Sequence, residues 1–306
     1  MSGRSPYRPG SRAVQDRVGV RELADHVGRS IGPGIRPVAA AFLALQPMLV
    51  VGARDPESGR VWASLLTGDP GFVRATGAHR MTVAGAPAAG DPLAAALARP
   101  GTPVGTLALD PRTRRRMRLN GRADPTPRGL AVAAEQVFSN CPKHLQKRQL
   151  APRRRTAPPS APRRSAELSA AQRKFIGAAD TFFIATAYDD GAEASHRGGN
   201  PGFVTVTSPS ELSWPDYPGN AMFLTLGNLT ADPRAGLLLL DWTTGTTLQL
   251  TGHARVEYAD DGSRAVRFRL TEAVETPGAS PWTWTGTEYS PANPPLPPHP
   301  SHGAVG

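Results

Sequence analysis

The 306-residue chain carries 35 Lys and Arg against 25 Asp and Glu, a formal net charge of +10, with 39% hydrophobic residues and a single cysteine, Cys141. That length suits two domains of ordinary size, and one thiol excludes an internal disulfide, so a reducing cytoplasm is the expected compartment. No apolar run reaches the roughly 18 residues that span a bilayer: the best candidate, AAAFLALQPMLVVGA, is broken by Gln46 and Pro47, and the N-terminus lacks a charged-then-apolar signal pattern.

In chain order, residues 1–40 read as a helical segment, on the periodicity of RAVQDRVGVRELADHVGR. Residues 41–150 then offer short strands, MLVVG, VWASLL, GTLALD and RMRLNGRA, with a brief helix at DPLAAALA. Residues 151–167, including APRRRTAPPSAPRR, have no apolar periodicity and read as an exposed, semi-rigid linker. From 168 to 276 the pattern returns. A helix at SAAQRKFIGAAD starts from Ser169 as its N-cap, strands follow at TFFIATA, FVTVT, GLLLLD and TTLQLTGHARVEY, and FLTLGNLTAD reads as helix. Residues 277–306 end in six prolines among the last sixteen positions, a composition expected to be disordered. Many short strands with one or two helices per half indicate a mainly β chain of two small antiparallel barrels side by side.

The two halves repeat one another. GDPGFV at 68–73 returns as GNPGFV at 199–204, an offset of 131 positions, and the same offset lays VGTLALDPRTRRRMRLNGRA over AGLLLLDWTTGTTLQLTGHA without a gap. Gly105, Leu107, Leu109, Asp110, Thr113, Leu119, Gly121 and Ala123 recur as Gly236, Leu238, Leu240, Asp241, Thr244, Leu250, Gly252 and Ala254. A period this long means tandem domains, since solenoid units are several-fold shorter.

The basicity is local. Between Glu135 and Glu167 there are eight basic residues and no acidic one; setting those eight aside leaves 27 basic against 25 acidic residues elsewhere. Nucleic-acid binding is therefore not the expected function, although the linker run from Arg153 to Arg155 leaves a weak, salt-sensitive phosphate or RNA affinity as the competing reading. There is no G-x-G-x-x-G, Walker A loop, H-E-x-x-H or G-x-S-x-G, and the histidines, Cys141 and the carboxylates lack metal-ligand spacing. No metal site is expected, and no catalytic residue is assigned.

The stretch EASHRGGNPGFV places Ser195, His196 and Arg197 before two glycines, Gly198 and Gly199. A guanidinium flanked by a hydroxyl and by backbone N–H groups that a ligand can approach is a phosphate seat; the alternative is a surface arginine beside a turn. The first half keeps Ser64 but has Leu65 and Leu66 where the second has His196 and Arg197, so the first copy reads as scaffold and the second as the site. The run from Arg114 to Arg116 reads as an exposed hairpin, and Trp62, Trp214 and Trp242 as core or rim packing.

These residues resemble the FMN-binding split barrels related to pyridoxamine 5'-phosphate oxidase. The likeness rests on Ser195 to Val204, on WPDYPGN at 214–220, on Leu226 to Leu238 and on Asp241 to Ala254. It covers about residues 168–275, and more weakly 42–140 through the repeat. It implies two tandem split β-barrels packed as an internal pseudo-dimer, the first a degenerate copy, with flavin held at their interface. It further implies cofactor contacts from Ser195, Arg197 and Gly198, from Asn220 beside the ring, and from Thr225 and Asn228 near the phosphate, with Gln249 and Thr251 as weaker candidates. Gly227 stands where many relatives carry Lys or Arg. SNCPKHLQKR, at 139–148, resembles another motif of the subgroup: Lys143 is either a phosphate ligand or a solvated lysine, and Cys141 either packing or redox-active. The implied function is an FMN-dependent oxidoreductase acting on a small organic substrate, with a nicotinamide nucleotide or a separate reductase supplying electrons. The alternative is a flavin-carrying or cofactor-free module that docks to such a reductase. Pairing is either internal or extended to a homodimer.

Overall fold

The computed structural model describes residues 5–151 and 156–296. Three helices open the chain: α1 (Pro9–Arg17), α2 (Arg21–Gly28) and α3 (Pro37–Ala44). The first two are one periodic segment broken at Gly19, whose φ of 72° no helix continues. The first barrel follows as β1 (Met48–Arg54), β2 (Val61–Thr67), β3 (Val73–Gly77), β4 (Arg80–Val83), α4 (Ala94–Leu97), β5 (Thr102–Asp110), β6 (Arg115–Thr126) and β7 (Gly129–Ser139). Two short strands, β8 (Lys147–Leu150) and β9 (Arg163–Ser165), lead to α5 (Ala170–Ala178). The second barrel comprises β10 (Thr181–Tyr188), β11 (Gly191–Gly198), β12 (Thr205–Ser208), β13 (Glu211–Pro215), α6 (Leu224–Ala231), β14 (Arg234–Leu240), β15 (Thr247–Tyr258) and β16 (Arg264–Thr276), and β17 (Trp284–Glu288) closes the order.

The repeat is a repeat of topology. The first sheet runs β2-β1-β5-β6-β7-β4-β3 and the second β11-β10-β14-β15-β16-β13-β12, all antiparallel, so the seven strands correspond one to one. Even the irregularities are copied, with a register shift at Asn120/Gly121 in one half and at Thr251/Gly252 in the other. The mainly β, two-barrel architecture is therefore as expected.

Strand alternation explains how the barrels join. Along β1, Leu49, Val51 and Ala53 fill the first barrel, while Met48 and Val50 face a third core shared with Phe183, Ala185, Ala187, Ala194 and Leu238 of the second. Along β10, Phe182 and Ile184 fill the second barrel, while Phe183 and Ala185 face out. Buried on both faces, these strands read as continuous apolar runs rather than alternating ones. The glycines repeated at 105 and 236 mark the closest approach. A Cβ on Gly105 would stand 2.2 Å from the Glu193 Cα, and one on Gly236 would stand 2.5 Å from the Trp62 Cα. Glu193 and Trp62 are themselves 131 positions apart, so the contact obeys the internal two-fold. The halves form an intramolecular pseudo-dimer.

Two expectations need correction. Residues 277–296 are not a loose tail: β17 pairs with β8, Trp284 is 2% exposed, and Gln146 Oε1 accepts hydrogen bonds from the Ser290 N–H and the Asn293 amide. Their order comes from partners far away in the chain, which local composition does not register. The 151–167 linker is also structured at its end, where β9 adds to β16 and Arg163 and Arg164 pair with Glu275 and Glu272. Arg153, Arg154 and Arg155, and residues 297–306 with His299 and His302, lie outside the described residues.

Candidate functional site

Where the barrels meet, a cleft of about 850 Å³, its open mouth included, is lined from both halves. Its floor comes from the edge strand β11. Ser195 and Arg197 share one face of that strand and His196 the other, as period-two alternation requires. Arg197 Nη1 donates to Ser195 Oγ and to the His196 carbonyl, both at 3.0 Å, so its contacts are within its own strand. The adjoining Gly198 also lines the cleft; a Cβ there would lie 2.1 Å from the His144 carbonyl oxygen, so only glycine lets the 139–148 connector pass this closely.

The opposite wall is β6. Met117 and Leu119 point into the first barrel, which turns Arg116, Arg118 and Asn120 outward toward the second. Arg116 donates to His196 Nδ1 and to the Cys141 carbonyl, each at 2.8 Å. Arg118, 3% exposed, donates to Glu193 Oε2 at 2.9 Å. The reading of Arg114 to Arg116 as an exposed hairpin is therefore corrected: Arg114, at a φ of 52°, makes the turn, and Arg116 faces the cleft. The missed signal was the polar alternation Arg116, Arg118, Asn120 between buried apolar neighbours. The first barrel is degenerate in its β2 residues but not in what β6 gives the seam.

The rim carries Lys143, exposed, with Cys141 partly buried nearby. The loop before α6 contributes Asp216, Tyr217 and Asn220, whose side-chain oxygen accepts from the Met222 N–H at 3.2 Å. The first turn of α6 contributes Leu224 and the buried Thr225. Of the eight residues nominated from sequence, the cleft brings together Ser195, Arg197, Gly198, Asn220, Thr225 and Lys143. Two fall elsewhere. Asn228 is buried on α6 and donates to Thr186 Oγ1, tying the helix to β10. Gln249 donates to the Ala63 carbonyl, Ser64 Oγ and Asp91 Oδ2, on the far side of the two-fold, and Thr251 likewise bonds the Val61 carbonyl. Neither Asn228 nor Gln249 reaches the cleft.

Gly227 also has a structural account. Helix α1 crosses α6 there, and a Cβ at Gly227 would meet the Ser11 nitrogen at 2.3 Å, so this position holds the N-terminal helix rather than a cation. Gln15, fully buried on α1, donates to the Met222 carbonyl and fixes the loop beneath it.

The electrostatics are lopsided. Burial, with Arg197 and Arg118 nearby, pushes Arg116 down to about 9. Burial likewise lowers Arg197, and it holds His196 well below the ordinary histidine range, with Arg116 and Arg197 adding to the effect. The carboxylates at hand are already engaged, Glu193 by Arg118 and Asp216 by Arg264. Nε of Arg116, Nε of Arg118 and Nε2 of His196 are buried with no hydrogen-bond partner among the described residues. Crowded cations with donors to spare fit a multiply charged oxyanion. A phosphate-bearing ligand suits Arg116, Arg118, Arg197, Ser195 and Lys143, and the 215–222 loop lines the same cleft. Among the described residues no group of three His, Cys, Asp or Glu side chains could hold a metal ion, and no helix is long and apolar enough to cross a membrane.

Residues 168–295 match the family model for pyridoxamine 5'-phosphate oxidase. Solved structures that match part of this chain include a FAD-binding protein from Mesorhizobium loti, 13% identical, covering 38% of this chain and 97% of that one, with a TM-score of 0.29. A FAD-binding protein from Mycobacterium smegmatis is 15% identical over 38% of this chain and 98% of its own, with a TM-score of 0.26. A NimC/NimA family protein from Clostridium acetobutylicum is 14% identical over 37% and 90%, with a TM-score of 0.27. No curated protein matches the chain. The family match lies across the second barrel, whose strand order and motif the first barrel repeats.

Proposed function

We propose that the protein is an FMN-dependent oxidoreductase that holds its flavin in the seam between the two barrels and acts on a small organic substrate. One observation carries the reading: Arg116, Arg118 and Arg197 converge on one cleft where Glu193 pairs with Arg118 and Asp216 with Arg264, leaving Arg116 and Arg197 without a carboxylate in ion-pair contact among the described residues. FMN would bring the electron chemistry, as bound cofactors generally do. The protein's own part is binding, orientation and exclusion of water. Arg197, Arg116 and Ser195 would grip the phosphate, Lys143 at the rim would steer the anion in, and Asn220 would hydrogen-bond the polar edge of the ring. His196 is neutral and its Nδ1 accepts from Arg116, so its buried Nε2 carries the proton. A nicotinamide nucleotide or a separate reductase is the proposed electron source.

The test is an FMN titration followed by flavin fluorescence, on the wild type and on Arg197→Leu, which copies Leu66 of the first half. Loss of one charge-assisted phosphate contact should weaken FMN by about 2 kcal/mol, roughly thirtyfold, with the circular dichroism unchanged. A colourless wild type that ignores added FMN would favour the docking-module reading instead.

A further inference from the structure

The internal two-fold generates a second seam, related to the ligand cleft by the 131-residue offset. There Ser64 stands for Ser195, Gln249 for Arg118, Leu93 for Leu224 and Ala94 for Thr225. This twin is filled by one side chain. The Asp91 carboxylate accepts from Ser64 Oγ at 2.6 Å, from the Leu93 N–H at 2.8 Å and from Gln249 Nε2 at 3.2 Å. Those three partners come from β2, from the turn entering α4 and from β15 of the other barrel. They are the counterparts of β11, of the turn entering α6 and of β6, the three elements that wall the open cleft. Burial pushes the Asp91 carboxyl up from the ordinary carboxylate range, while the bonds from Ser64, Leu93 and Gln249 oppose that shift; all three partners donate and none accepts, the arrangement an ionised carboxylate needs. Position 222, the counterpart of 91, is a methionine, whose thioether cannot play that part.

We propose that Asp91 is a built-in anion occupying the twin of the ligand cleft, so that the chain carries one ligand site and not two. By the same two-fold, Ser195 Oγ, the Arg118 guanidinium and the Leu224 N–H are the groups that receive the ligand's anion in the open cleft. This second clause rests on the flavin reading above; the first does not. Arg118 meets the requirement independently, since its Nε is buried without a partner among the described residues. The exchange of Arg for Gln is also sensible. The twin must satisfy only one internal carboxylate that never leaves, whereas the open cleft must attract a more highly charged ligand from water. This division accounts for Leu66 on β2 at the counterpart of Arg197, while β6 turns Arg116 and Arg118 to the open cleft.

The experiment has two arms. In the first, Asp91→Ala is unfolded thermally in sodium formate and in sodium chloride at equal ionic strength, beside the wild type. The inference expects the variant to melt lower, and formate to raise its Tm more than it raises the wild type's, because formate re-enters the vacated pocket. Equal formate increments in the two proteins would overturn it. In the second arm, FMN is titrated into Met222→Asp, which places the internal carboxylate in the open cleft, with Met222→Asn as the neutral control. FMN affinity should fall at least about tenfold in the Asp variant relative to the Asn variant, and the wild type should saturate at one FMN per chain. Saturation at two, or unchanged affinity in Met222→Asp, would overturn it. A wild type that takes up no FMN refutes the functional reading and leaves the formate arm to decide the role of Asp91.

Discussion

Replacing Glu193 by Gln separates what stabilises the fold from what attracts a ligand. Glu193 and Arg118 are each 4% exposed in their side chains, 2.9 Å apart, and placed on opposite barrels. Removing one partner of such a pair leaves the other charge buried and uncompensated, which typically costs about 3 to 5 kcal/mol. Here the cost falls toward the upper end, because the stranded Arg118 lies beside Arg116 and Arg197. For a chain of this size each kcal/mol moves the Tm by roughly 2 to 4 °C, so a drop of about 8 to 20 °C is expected. Ligand affinity should move the other way. The variant removes a negative charge close to the anion seat and frees a guanidinium, and at an effective dielectric near 20 or more that is worth about 1 to 2 kcal/mol, about tenfold tighter binding. Differential scanning fluorimetry with and without FMN reads both effects. A Tm within a degree or two of wild type, or FMN affinity that falls, would refute the assignment of Glu193 as the internal counter-ion of the cleft.

Other expectations follow from the same geometry. Gly227→Ala forces a Cβ against the Ser11 backbone; an overpacking cost of about 1 to 3 kcal/mol, with earlier proteolysis within α1 than in wild type, is expected, and wild-type resistance would argue that α1 does not dock there. His196 has its folded-state affinity for protons depressed by burial first, then by Arg116, Arg197, His144 and Arg148. Below about pH 6.5 the unfolded chain takes up this proton and the folded chain does not, so stability present above that pH is lost as the pH falls. His196→Gln should flatten the Tm profile between neutrality and mild acid, and an unaltered slope would remove His196 as its source. Arg163 and Arg164 are half-exposed or more and pair with Glu275 and Glu272 at the sheet edge. Neutralising both should cost under about 1 kcal/mol in total by chemical denaturation, and a larger loss would mean that β9 is held by those pairs.

The parts of this architecture visible in sequence were those written locally or written twice. Ser169 as N-cap is one: its side chain accepts from the Gln172 N–H while the Gln172 side chain bonds back, a full capping box. The doubled Gly105/Gly236 pattern and the GxPGFV copies disclosed two like domains, because glycine at a backbone crossing is retained wherever the crossing is repeated. Ser195, Arg197, Gly198 and Asn220 were legible since they are contiguous in chain with a loop or strand end. What escaped depends on partners far away. Arg116 read as a hairpin charge and Arg118 carried no reading of its own, and only the facing β11 strand makes them a wall. Gln249 and Asn228 are polar residues on the right elements, but strand alternation and helix phase aim them at Ser64 and Thr186 instead. Proline content in residues 277–296 pointed to disorder, yet Gln146 and β8 supply hydrogen bonds that a composition cannot contain.

The central claim is that the ligand seat is built by both halves of the chain, and the most direct measurement is an FMN titration of Arg116→Thr, which gives β6 of the first barrel the residue found at position 247 of the second. If the seam is the site, this change in the half without the β11 arginine weakens FMN at least about tenfold while Arg197→Leu does the same from the other side. FMN affinity unaltered by Arg116→Thr, with Arg197→Leu still impaired, would place the ligand within the second barrel alone and contradict the account.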